Sequence, residues 1–272
     1  KLVEACLIDF KLKEDILNLR DNKKILSICK KILEEKQEGS FFNELKKFIK
    51  ISPEREKKNQ EENKDIYQNL KKISAIILTT NYDDYLSKLY KESEIAYDPD
   101  QFDSENIEKY KLYHLHGHIE YKESIIVTVD DYLKRYRNER FKAFIDKILG
   151  SGEYTILFIG YGLDEFELLD YLALRNEIHQ KSPNPHFILL PYYEHQEELV
   201  NFEQTYFDTF NINIIAYGKD KVGYEYLHTI INNWKDRLNE TVRLIENQED
   251  IDEVIPTNGN WESQKDSWTE KR

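Results

Sequence analysis

Three stretches of the chain end an apolar run on side chains able to do chemistry. They are Thr79-Thr80-Asn81-Tyr82-Asp83, His114-Leu115-His116-Gly117 and Phe158-Ile159-Gly160-Tyr161-Gly162-Leu163-Asp164. An amide such as that of Asn81 can hold a water or a hydroxyl without adding positive charge. An imidazole such as that of His116 accepts a proton near neutral pH. A carboxylate such as that of Asp83 favours a nearby developing cation. Gly160 and Gly162 let backbone N–H groups approach a phosphate.

Each residue also has a simpler reading. Asp83 is placed to cap a helix, and Asp164 with Glu167 forms an acidic variant of the capping box. The two glycines serve equally well in a turn with positive φ. On a strand, the alternating His114, His116 and His118 share a face, so a zinc site is a rival. No remote cysteine or carboxylate ligand is identifiable to complete it, and no metal is expected.

The elements that must position these residues alternate. The run Ile73 to Thr80 reads as a buried parallel strand that delivers its carboxyl end to a site, and Asp83 and Asp84 start a helix through Leu89 and Tyr90. Leu112 to Leu115 and Ile125 to Val129 read as further strands, and Asp130 and Asp131 cap the helix that follows. Thr155 to Ile159 is a strand broken at Gly160, followed by a helix carrying Phe166, Leu169, Leu172 and Leu174. His186 to Leu190 is a strand stopped by Pro191, a helix continues to about Phe207, and Ile212 to Tyr217 is the last strand. A helix from Gly223 to Glu246 closes the unit. The fold class is therefore α/β, with a doubly wound, mostly parallel sheet that binds ligands at the carboxyl ends of its strands.

Residues 1–72 are expected to be mainly helical. Leu2, Val3, Cys6 and Leu7 open one apolar face, and Ile25, Ile28, Cys29, Ile32 and Leu33 continue the spacing. Ser52 to Lys64 is a solvated polar run. Residues 1–246 read as one domain and 247–272 as a polar linker or docking tail, with Trp261 and Trp268 as its aromatic anchors.

Composition narrows the function. Of 272 residues, 40% are hydrophobic and 13% aromatic, enough for a globular core. With 39 Lys and Arg against 52 Asp and Glu, the net charge of -13 argues against direct nucleic-acid binding. Two cysteines, Cys6 and Cys29, make neither a disulfide framework nor a four-cysteine zinc site. The sequence carries no membrane-length apolar run and no signal-peptide pattern, so a cytoplasmic protein without membrane contact is expected.

In their order, TTNYD, then HLHG followed by IIVTVDDY, then LFIGYGLDE, these motifs resemble the sirtuin-like NAD-hydrolase domains of bacterial antiphage defence, over about Ile73 to Leu174. The resemblance implies a Rossmann-like, sirtuin-type fold with NAD as substrate. By motif, Asn81 resembles the catalytic asparagine, and His116, directly before Gly117, the catalytic histidine. Asp83 resembles the acid after the asparagine, and Thr80 a residue lining the nicotinamide side. Gly160, Tyr161, Gly162 and Asp164 resemble the later turn that contacts the nucleotide, while His114 reads as structural. The family's first glycine-rich turn is expected upstream of Lys1. Relatives imply a sensor domain or partner protein and a homo-oligomer. The implied activity is NAD hydrolysis to ADP-ribose and nicotinamide. The alternative is an idle module that binds NAD or ADP-ribose and controls assembly.

Protein-deacylating sirtuins carry a four-cysteine zinc ribbon soon after the His-Gly pair, and His118 to Tyr136 contains no cysteine. Purified protein is accordingly expected to hold no stoichiometric zinc and to release no acyl groups from acylated lysine peptides. Elemental analysis and an NAD-dependent peptide assay check both.

Overall fold

The structure, a computed structural model, describes residues 4, 13–19, 21–49, 66–74, 76–161, 168–173, 184–220 and 223–254, with 242–254 as backbone only. The readings of Leu2, Val3, Cys6, Leu7, the Ser52 to Lys64 run, Gly162, Asp164, Trp261 and Trp268 lie outside the described residues.

The amino-terminal part is helical: α1 (Lys13–Leu17), α2 (Asn22–Lys36), α3 (Ser40–Ile49) and α4 (66–73). Asp21 caps α2 by accepting from the Lys24 N–H at 3.1 Å. Glu34 closes the turn into α3, its two oxygens accepting from the N–H groups of Gly39 and Phe41. The buried faces of these helices, with Ile16, Ile25, Cys29, Phe41 and Leu45, form a cluster completed by Val127. Tyr82 and Ile125 pack against that cluster, so the helices brace the loops that carry the candidate site.

Two three-stranded parallel sheets follow. The first orders β1 (Ile76–Thr79), β3 (Lys111–His114) and β2 (Ile95–Ala96), with β3 central. The second orders β4 (Leu157–Ile159), β5 (His186–Tyr192) and β6 (Ile212–Gly218), with β5 central. Successive residues of a strand face opposite sides. Accordingly Phe158, Ile188 and Ile212 enter one core, and Leu157, Ile159, Leu189 and Tyr217 enter another.

The first core also holds Tyr113 and Leu115, which joins the two sheets in one body. Helices α5 (Val129–Arg137), α6 (Glu139–Ile145), α7 (168–173) and α8 (Glu197–Asp208) accompany the strands, and α6 runs on into a π turn over Asp146–Gly150. Helix α6 supplies Phe141, Phe144 and Ile145 to the first core, and α7 supplies Leu168 and Leu172. The second core is covered by Ile66, Leu70 and Ile73 of α4 and by Ile231 and Trp234 of α9 (Tyr226–Val254). Helices on both faces of parallel sheets make the α/β, Rossmann-like architecture expected.

Several local expectations need correction. The first strand starts at Ile76, because Ile73 ends α4 and packs in the second core. After Asp83 there is no α-helix; a bend leads to one 3-10 turn at Ser87–Leu89. Ile125 to Val129 is not a strand: Val127 plugs the amino-terminal helical cluster. Thr128 caps α5, accepting from the Asp131 N–H while the Asp131 carboxylate accepts from Thr128. Only Asp131 of the two expected acidic caps therefore takes part. The fifth strand passes through Pro191. Residues 187 and 189 turn their N–H groups toward β4, which ends at Ile159 opposite Leu189, so the imide nitrogen of Pro191 points past that end and interrupts no ladder bond. The closing helix reaches Val254, beyond the expected end at Glu246.

No helix among the described residues is long and apolar enough to cross a membrane. Phe144 is fully buried, with ring centroids 5.0 Å from Phe102 and 4.7 Å from Tyr113. Phe144→Ala is expected to cost about 3–5 kcal/mol through lost contacts and a residual cavity, read by chemical denaturation.

Candidate functional site

The pairing of β1 with β3 sets Thr79 opposite His114, and both are the last residues of their strands. Asn81 and His116 each lie two residues further on, in loops that leave the sheet on the same side because the strands are parallel. The two loops are then tied together. The Leu115 N–H donates to the Thr79 carbonyl at 2.9 Å, and the Ile119 N–H to the Tyr82 carbonyl at 2.8 Å. The Tyr82 hydroxyl donates to the Ile126 carbonyl at 2.6 Å, and the Ile126 N–H returns to the His116 carbonyl at 3.0 Å.

Within the first loop, the hydroxyl oxygen of Thr79 accepts from the Asn81 N–H at 3.1 Å, and Asp83 accepts from the Tyr85 N–H, also at 3.1 Å. Asp83 thus caps a local turn, and Thr80 stands half-buried beside Asn81. Burial pushes the Asp83 carboxyl above its ordinary pKa, with the Asp84 charge adding to the rise; the Tyr85 N–H and His118 oppose it. Asn81 is exposed, whereas His116 is 2% exposed, edge-on to Tyr132 at 5.3 Å.

The three histidines do not share a strand face, because β3 ends at His114. The chain reverses at Gly117, whose φ is +86°. A Cβ there would stand 2.1 Å from the Ser124 carbonyl oxygen, so Gly117 is demanded by backbone packing. Arg135 holds the opposing segment: 5% exposed, it donates to the carbonyls of Ser124 at 2.9 Å and Tyr97 at 3.2 Å, with Phe102 and Phe141 against its guanidinium. Burial draws its pKa down to about 10, opposed by Asp98, which leaves it charged at neutral pH.

His114 is completely buried and receives two polar partners. One nitrogen, Nδ1, lies 3.0 Å from the Asn81 carbonyl, and Nε2 lies 2.8 Å from the Ser87 hydroxyl. Burial, reinforced by His118, pulls its pKa down to about 4 against the pull of the Asn81 carbonyl, so the ring is neutral near pH 7. Burial lowers His118 as well, opposed by Asp84, Glu120 and Asp83. Among the described residues no three His, Cys, Asp or Glu side chains could hold a metal ion.

Gly160 and Tyr161 follow β4, at the end of the other sheet. Gly160 has a φ of +64° and nothing within 4 Å of where a Cβ would stand; that space is what backbone approach to a ligand needs. Gly162 and Asp164 lie outside the described residues. The structure thus ties the loop carrying Thr80, Asn81 and Asp83 to the loop carrying His116 and Gly117, and places Gly160 and Tyr161 after a strand of the second sheet.

Sequence reasoning passed over a cavity of about 1080 Å³ beyond the carboxyl ends of β5 and β6, lined in part by Tyr192, Tyr193, Glu194, Tyr217, Asp220 and Tyr226. Its signal was present in the tyrosines and acids that follow both strands. Ser87, Arg135 and Ser124 were also missed. Their roles depend on partners far away in the chain, and no local pattern announces them.

A parallel α/β sheet whose strand ends carry an amide, an imidazole and glycine turns defines a nucleotide-binding enzyme-like domain. The profile of the SIR2-like domain family matches residues 75–215, just over half of the chain, and the chain belongs to that family. Its function is accordingly NAD-related. No curated protein gives a significant match.

Gly117→Ala is expected to destabilise the fold by about 2 kcal/mol or more, because both the positive φ and the Ser124 backbone oppose a side chain. A lowered denaturation midpoint with an unchanged slope would report it.

Proposed function

We propose that this domain hydrolyses NAD to ADP-ribose and nicotinamide. The observation that supports the reading is that Asn81 and His116 each lie two residues beyond the paired, parallel strand ends Thr79 and His114, in loops hydrogen-bonded to each other. The Asn81 amide is open to hold a water or a ribose hydroxyl. As the bond from ribose C1′ to nicotinamide breaks, its electron pair leaves with the nicotinamide, which becomes neutral. The water oxygen bonds to C1′, and His116 takes the proton and passes it to solvent. Asp83 stabilises the cationic sugar if it is ionised there, and its raised pKa makes that contribution weaken on acidification.

The tyrosine faces and carboxylates of the cavity past β5 and β6 suit a purine and ribose hydroxyls, which supports a reading with the adenosine end of NAD on that side. The open backbone of the Gly160 turn supports a diphosphate held on that side. In its biological setting the domain would deplete NAD in antiphage defence, as a cytoplasmic homo-oligomer under a sensor domain or partner protein. That setting rests on the resemblance of the three motifs to defence-associated domains.

One observation favours a second reading. With His116 2% exposed and Asn81 open, this conformation offers a ligand the amide and not the imidazole. An idle module that binds NAD or ADP-ribose to control assembly needs no more than that. Nicotinamide release by the full chain, with and without candidate sensor partners, separates the two.

Under the hydrolase reading, Asn81→Ala and His116→Ala each lose about a hundredfold or more in turnover, with folding and most NAD affinity kept. The double substitution is expected to be no worse than the poorer single, since both serve one step. Near-parental nicotinamide release from folded His116→Ala protein would remove His116 from the mechanism.

A further inference from the structure

The buried imidazole of His114 is a group that the proposed chemistry does not use, yet it spends both nitrogens on the loop that carries Asn81. A carbonyl oxygen only accepts, so Nδ1 carries the ring hydrogen and donates it to Asn81. The unprotonated Nε2 then accepts from the Ser87 hydroxyl, and the tautomer is fixed by chemistry and not by choice. His118 stands edge-on to the ring at a centroid distance of 4.8 Å and occupies space into which it would otherwise turn.

The backbone of Asn81 is held on both sides of its Cα. Its N–H is bound by the Thr79 hydroxyl at 3.1 Å and its carbonyl by His114 at 3.0 Å. Backbone bonds therefore fix the Cα from which the amide projects, and the exposed side chain is left open for a ligand. A space-filling role at a fully buried strand end would be met by leucine or phenylalanine, with no polar atoms to satisfy. Here a serine and a histidine are both buried to satisfy each other and one carbonyl.

We propose that His114, locked by Ser87, is a positioning residue that fixes the peptide from which the Asn81 amide reaches the substrate. The proposal rests on the hydrolase reading for its kinetic consequence and on geometry alone for the hydrogen bond. The ring's neutrality near pH 7 adds that no charge is brought beside the site.

Two measurements on the full chain test it. The first needs no activity: side-chain nitrogen NMR is expected to find the hydrogen of His114 on Nδ1. The Asn81 carbonyl carbon shift is expected to move in His114→Ala and to return toward the parent in His114→Asn, whose amide nitrogen stands where Nδ1 stood. A hydrogen on Nε2, or an unmoved Asn81 carbonyl, overturns the proposal.

The second is nicotinamide release. His114→Ala and His114→Gln, the latter reaching toward Ser87 and not Asn81, are expected to lose kcat by about tenfold or more with KM within about threefold, and His114→Asn to recover most of it. In an Asn81→Ala background, His114→Ala is expected to cost nothing further, because it acts through the missing amide. Equal losses in the Asn and Gln variants, or full additivity with Asn81→Ala, mark a merely structural residue and overturn the proposal. A parent chain that releases no nicotinamide under any condition defeats the hydrolase reading instead, and the NMR result then decides His114 by itself.

Discussion

The parallel register of β1 against β3, which sets Thr79 opposite His114, is the constraint from which the candidate site follows. Parallel strands present all their carboxyl ends on one side, and the residues just past those ends have no further ladder to join. Their backbone groups must find partners in the loops. Here they find one another: Leu115 with Thr79, Ile119 with Tyr82, Ile126 with His116. A slip of one residue in the pairing would break the first two of these bonds.

Burial supplies the rigidity. The loop after His116 doubles back so closely that Gly117 meets the backbone of Ser124, and the carbonyl left facing inward there is taken up by Arg135. A buried guanidinium carries a desolvation cost, offset here by two carbonyls, two aromatic faces and the field of Asp98. The same cation also reaches Tyr97, so it binds the segment before β3 to the segment after it. The helical pair α2 and α3 closes the outside of this arrangement through Val127, Ile125 and Tyr82. Chain far from the site in sequence thereby acts as its outer wall.

The second sheet contributes space instead of reactive groups. The cavity beyond β5 and β6 is acidic and tyrosine-rich, and Lys219 lies 4.2 Å above the Tyr193 ring beside it. The Gly160 turn, open where a side chain would stand, follows the first strand of the second sheet.

Much of this was legible along the chain. Apolar runs read to Thr80, Leu115 and Ile159 mark strands that deliver polar ends, within one residue of where the strands stop. The alternation that makes an α/β fold was readable for the same reason. The errors fell where partners decide. Ile125 to Val127 is apolar because it plugs a helical cluster, not because it pairs in a sheet. Pro191 sits inside a central strand because β4 ends beside it, and a sequence cannot say how long a neighbour is. Asp83 caps a bend, because the loop it begins is drawn back toward His114 through Ser87. His114 itself reads locally as one more strand residue. Its hold on the Asn81 carbonyl exists only once β1 and β3 lie side by side, because hydrogen bonds between distant residues are set by register and not by composition.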